Sequence, residues 1–138
     1  MRVSQRLDYT LRGLTSLAER PAGTFLAAGE IADSLSLPRR FVEQQFTALA
    51  RAGLVECRRG AGGGCALARP ASEISVGEVV RAVQGSVLDV PRVTGSAVSE
   101  MWADSAAALD EALEEVTIEE LATRQRELDA EAAPMYYI

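Results

Sequence analysis

Between positions 60 and 64, four of five residues are glycine: Gly60, Gly62, Gly63 and Gly64. No helix or regular strand tolerates that density, because glycine loses the most chain entropy on ordering and offers no side chain to pack. A tight tip remains. Its flanks, residues 54–58 (LVECR) and 65–69 (CALAR), are short and read as the two strands of a basic hairpin. Ahead of them lies a helical pattern that starts at Pro38, a residue suited to a first helical turn because its missing N–H has no intrahelical acceptor there. Val42, Phe46 and Leu49 recur at helical spacing and face a core; Arg39, Arg40, Glu43, Gln44, Thr47 and Arg51 fall on the other side. Gly53 stops this helix, as glycine does just past a C-terminus.

Upstream, residues 4–19 read as a helix with Leu7, Leu11, Leu14 and Leu17 or Ala18 on one face. Pro21, Ala22 and Gly23 break it, and residues 28–35 form a short second helix with Ile31 and Leu35 inward. Ser36 and Leu37 make the turn into Pro38. Two short helices joined by a tight turn form a helix-turn-helix, and the adjoining basic hairpin makes it winged. In that layout the polar helix enters the DNA major groove and the hairpin tip touches backbone or minor groove. Arg39, Arg40, Glu43, Gln44 and Thr47 are then the candidate base and phosphate contacts, since Arg pairs with guanine, Gln with adenine and Glu with the cytosine amino group. Arg58, Arg59, Gly60, Gly62 and Gly63 are the candidate wing contacts. A bare turn needs fewer glycines, and the surplus suggests backbone brought close to sugar-phosphate.

The net charge of −6 argues against DNA only if the chain is taken whole. Residues 1–70 hold ten arginines against six acids, or +4; residues 71–138 hold four against fourteen, or −10. A basic head joined to an acidic body follows. All fourteen basic residues are arginine, which favours rigid phosphate and guanine contacts.

After Pro70, Ser75 N-caps a helix with Glu78 at the capping-box position and Val76, Val79, Val80 and Val83 on its apolar face. Gly85 ends it, and residues 86–97 are an irregular connection. Residues 98–115 form the longest helix, and Thr117 N-caps a last one with Ile118, Leu121 and Leu128 inward. The stripe Val98, Met101, Trp102, Leu109 and Leu113 is more apolar than one small head needs, which points to a two-fold dimer interface in preference to an effector pocket around Trp102. The expected fold is mainly α with a small β-wing. It divides into a DNA-binding head (1–84), a linker (85–97), dimerisation helices (98–130) and a tail (131–138).

The chain has no histidine, so the commonest general base and metal ligand is missing, and no catalytic constellation or metal site is expected. There is no apolar run long enough for a membrane span and no apolar segment behind the first arginines, so cytoplasmic location is the default.

The segments MRVSQRLDYTLRGLTSLAE, PRRFVEQQFTALARAGLV and above all RRGAGGGCALARPASEISVGEVVRAVQG resemble the Rrf-two family of winged-helix transcriptional regulators, over essentially the whole chain. The resemblance implies a homodimer whose long helices cross, bound to a palindromic operator, with Arg59 as the wing arginine of the minor groove. The family's iron–sulfur branch carries three cysteines just after the V-V-x-A-V helix. Here that segment is SVLDVPRVTGSAVSEM, so no cluster and no other cofactor is expected. The chain looks closer to the branch that represses cysteine and sulfur metabolism, whose members also lack the triad and tend to end in an aromatic-aromatic-Ile tail.

Two further features bear on control. Cys57 and Cys65 stand four residues either side of Ala61 and could face each other across the hairpin, either as a redox-switched disulfide or as two small residues kept reduced in the cytosol. The ending Met135, Tyr136, Tyr137, Ile138 places a free carboxylate beside apolar side chains, a handle that backbone N–H groups capture. The resemblance implies that such a tail docks in cysteine synthase; folding back onto its own dimer is the other outcome. The expected function is a repressor of cysteine or sulfur genes under a protein partner or small effector. The alternatives are a regulator switched through Cys57 and Cys65, and an interaction protein acting mainly through its tail.

Overall fold

The computed structural model describes residues 3–133. Ser4 opens helix α1 (Gln5–Ala18), its hydroxyl accepting from the Leu7 N–H at 3.1 Å. Leu7, Leu14 and Leu17 make the buried face. At Gly13 a Cβ would stand 3.1 Å from the Phe46 ring, so a side chain there would fit only if the ring shifted by a few tenths of an ångström.

Helix α2 (Ala28–Leu35) ends at Ser36, which adopts the left-handed conformation at φ 55°. The Leu37 N–H reaches back to the Ala32 carbonyl at 2.8 Å, closing the turn of the helix-turn-helix. Helix α3 (Arg39–Arg51) begins one residue later than the sequence suggests, with Pro38 as its extended N-cap. Val42, Phe46 and Leu49 are buried. At the far end Gly53, at φ 78°, donates to the Ala50 carbonyl while Leu54 donates to that of Leu49. These two bonds satisfy the last carbonyls and pack Leu54 against Leu49 in the core.

Strands β1 (Val55–Arg58) and β2 (Gly64–Leu67) pair antiparallel, with Cys57 opposite Cys65 and Arg58 opposite Gly64. The second strand lies nearer the tip than expected: Gly64 joins the ladder and Arg69 leaves it, while the Ala68 N–H still donates to the Leu54 carbonyl at 3.1 Å. After a 3-10 turn (Ala71–Glu73), Ser75 caps helix α4 (Val76–Val83), accepting from the Glu78 N–H at 3.1 Å. The capping box is only half made: the Glu78 carboxylate turns to Arg69 at the wing base.

Helix α5 (Ala97–Glu114) is the longest, and Ser99 is its one buried residue. Its end is tied to α4 through Glu114, which pairs with Arg81 and accepts from the Ser75 hydroxyl. Helix α6 (Ile118–Ala132) returns across α1, where Arg126 donates to the Ala18 carbonyl at 2.9 Å. Ile118 and Ala122 are buried, whereas Leu128, expected to face inward, is 42% exposed. The buried part of the apolar face ends at Ala122. One core joins the head to this last helix: Leu14, Ile31, Leu49, Ile74, Val79 and Ile118 are all fully buried in it. Among the described residues, no helix is long and apolar enough to cross a membrane.

Candidate nucleic-acid interface

The outer face of α3 carries Arg39, Arg40, Glu43, Gln44 and Thr47, and all five are exposed. They are not equivalent. Arg39 lies back over α2 beside Gly29 and pairs with Glu43 at 3.0 Å, one helical turn on. Thr47 donates its hydroxyl to the Glu43 carbonyl at 2.8 Å. Among the described residues, the side chains of Arg40 and Gln44 make no hydrogen bond or ion pair, so α3 offers their donors and acceptor to an outside partner without breaking a contact.

The wing divides in the same way. Arg58 pairs with Glu56 at 3.3 Å and lies over the Phe25 ring, 4.3 Å from its centroid. Phe25 belongs to the loop before α2 and escaped sequence reasoning, since a lone aromatic outside any periodic pattern carries no signal of what it will meet. Arg59 is exposed at the tip, with no side-chain partner among the described residues.

The glycines have causes inside the molecule. A Cβ on Gly63 would stand 2.8 Å from the Gly60 carbonyl, and one on Gly64 would collide with the Leu26 carbonyl. Gly60 and Gly62 turn the tip at φ 91° and 73°. The surplus therefore follows from hairpin closure and from the loop crossing its base. The assignment of Gly60, Gly62 and Gly63 to DNA rests on their place at the tip alone.

Leu26 and Cys65 form an isolated antiparallel bridge, so Cys65 directs both backbone groups away from β1. Cys57 and Cys65 are thus a pair without mutual backbone hydrogen bonds, the register position where facing side chains come closest. Their Cα atoms are 4.1 Å apart and their sulfurs are bonded. Of the two outcomes open in the sequence, the structure holds the disulfide.

The apolar stripe of α5 also divides. Val98, Met101 and Trp102 are 62%, 45% and 38% exposed, whereas Leu113 packs on the head core and Leu109 is half-buried. Met135, Tyr136, Tyr137 and Ile138 lie outside the described residues.

The arrangement has relatives. The profile of the Rrf2 family, described as an iron-dependent transcriptional regulator, matches residues 3–124. A Mycobacterium tuberculosis (strain H37Rv) protein classed as an HTH-type transcriptional regulator, Rv1287, is 30% identical over 131 residues, covering 88% of this chain and 81% of its own. Among solved structures, CymR, the global cysteine regulator of B. subtilis, aligns with a TM-score of 0.81 at 28% identity, over 90% of this chain and 98% of its own. IscR of T. potens gives 0.80 at 27%, over 93% and 90%.

The family's description raises iron. Protein iron–sulfur clusters are held by cysteine thiolates, with histidine as an occasional substitute. This chain has no histidine, and its two cysteines are joined to each other in the wing. Among the described residues, no three metal-ligating side chains converge. The donor set does not fit a cluster. The rest of the pattern fits from α1 into α6, and the chain belongs to the Rrf2 family of winged-helix transcriptional regulators.

Proposed function

We propose that the chain is a homodimeric repressor that occludes a palindromic operator in genes of cysteine or sulfur metabolism. The observation that carries this reading is the free state of Arg40, Gln44 and Arg59, three exposed side chains without partners among the described residues, set on a head with a packed core. Arginine and glutamine held so on a helix face and a wing match the edges of guanine and adenine and the phosphates between them.

Residues 1–84 form the head and 85–97 the linker. The helices of 98–130 supply the dimer contact, with Val98, Met101, Trp102, Leu109 and Leu113 in the expected stripe. Covering Val98, Met101 and Trp102 with the same face of a second copy gives an isologous interface. Sulfur control is supported by the likeness to CymR and by the tail within 131–138. There Met135, Tyr136, Tyr137 and Ile138 would enter the active site of cysteine synthase, in competition with O-acetylserine. The cytoplasm, where the operator lies, is the site of action.

The test is a footprint on duplexes selected from a randomised library. Two symmetric half-sites about one helical turn apart, roughly 10 base pairs, are expected. A single asymmetric footprint contradicts the dimer, and failure to select any duplex contradicts the reading. For the tail, a peptide of the last ten residues should inhibit cysteine synthase competitively, and removing Ile138 should abolish this. A second reading, a redox-responsive regulator, is favoured by the Cys57–Cys65 bond.

A further inference from the structure

The two bonded cysteines are not alike. Cys65 is 7% exposed, belongs to the core cluster and is held on its far side by the two backbone bonds to Leu26. Cys57 is exposed and stands on the outer strand, directly before Arg58 and Arg59. The bond therefore fastens an accessible strand end, carrying both wing arginines, to a residue that is already fixed. Beyond it, the Arg58–Gly64 rung, the Gly63 N–H to the Gly60 carbonyl, at 3.0 Å, and the Arg58 guanidinium over Phe25 close the tip.

We propose that this bond is a thiol–disulfide exchange site, attacked first at Cys57 Sγ by a small dithiol, and that its state sets the grip of the wing on DNA. The inference deepens the redox reading above and rests on it. In reduction, a thiolate of the dithiol attacks Cys57 Sγ, the S–S bond breaks, and Cys65 leaves as a thiolate and takes a proton. The second thiol then attacks the mixed disulfide, Cys57 leaves and is protonated, and the dithiol, having given two electrons, is itself a disulfide. Oxidation by a hydroperoxide runs through the same sulfur. The Cys57 thiolate attacks the peroxide, the O–O bond breaks, and an alcohol or water departs, leaving a sulfenic acid on Cys57. The Cys65 thiol attacks that sulfur, and water leaves as the disulfide closes.

With the bond closed, Arg59 projects from a braced strand and Arg58 stays over Phe25. With it open, β1 frays from Cys57 outward while Cys65 stays with Leu26. Holding two long cationic side chains ready for binding is worth on the order of tenfold in affinity.

The experiment uses the full chain, oxidised or held in dithiothreitol, with duplexes selected by both forms in parallel. The oxidised form should count no free thiols and bind about tenfold more tightly than the reduced form. Cys57→Ser should match the reduced protein and ignore dithiothreitol. With an aromatic disulfide reagent, Cys57 in Cys65→Ala should react at least about tenfold faster than Cys65 in Cys57→Ser. Two free thiols in the oxidised sample, or equal affinities in both states, overturn the switch and leave the DNA-binding reading standing. Equal labelling rates overturn Cys57 as the sulfur attacked. Absence of binding to any duplex in either state overturns the DNA-binding reading and the switch together.

Discussion

Leu26 and Cys65 exchange both of their backbone hydrogen bonds, at 3.0 and 2.8 Å, so the loop before α2 acts as a third strand of the wing. The hairpin is therefore registered on the same chain segment that leads into the helix-turn-helix. Phe25, one residue earlier, holds Arg58 on its ring. The wing's direction relative to α3 is set at this junction.

Gly64→Ala should disturb the junction. Gly64 has φ 125°, and a Cβ there would strike the Leu26 carbonyl backbone, which cannot move aside as a side chain would. A loss of about 3 kcal/mol in thermal or denaturant unfolding is expected, from backbone strain together with the broken bridge. Gly23→Ala, at φ 82° with open space around it, should cost only about 1 kcal/mol.

The recognition face should respond unevenly. Arg40→Ala and Gln44→Ala should each weaken operator binding by about 1–3 kcal/mol in a gel-shift titration. Their unfolding free energies should stay within about 0.5 kcal/mol of wild type, because both side chains are exposed and make no hydrogen bond or ion pair among the described residues. Arg39→Ala should weaken binding less, since Arg39 is already paired with Glu43.

Much of the frame was legible in local chemistry. The α2 span, the Ser75 and Thr117 caps and the Gly53 stop all depend on residues within one turn of each other. What escaped depends on distant partners. The Glu78 carboxylate left its capping box for Arg69, and Arg58 found Phe25, neither of which periodicity can announce. The glycine tip was legible as a turn, but its density answers to Leu26 and to hairpin closure, contacts that only the folded chain displays. The α5 stripe was legible as apolar. Its division between the head core at Leu113 and the open surface at Val98 needed the crossing of α4 and α5.

That division selects the probe for self-association. Leu113 packs on the head core, so a charge there would disturb folding as well as association. Met101→Asp with Trp102→Asp, both exposed in the single chain, should give a folded monomer in sedimentation and abolish operator binding. A dimer that persists with these changes places the contact elsewhere.

Glu19 gives a pH signature. Burial lifts its carboxyl above the ordinary glutamate value and Asp129 adds to the lift, while Arg126 and Arg20 oppose it. The folded state then binds this proton more tightly than the unfolded state, so stability falls as pH rises through the folded value. The ionised group is a small cost at neutral pH. Glu19→Gln should therefore stabilise the protein slightly at pH 7. The difference should vanish below about pH 4, as measured by urea unfolding across pH.

The central claim is that exposed arginines on α3 and the wing hold duplex DNA, and the salt dependence of operator affinity tests it most directly. Four phosphate contacts across a dimer, from Arg40 and Arg59 of each protomer, predict a slope of log affinity against log salt of about −3.6, and Arg59→Ala in both protomers should reduce its steepness by up to about 1.8. A slope near zero, or an affinity and slope both untouched by Arg59→Ala, would contradict the account.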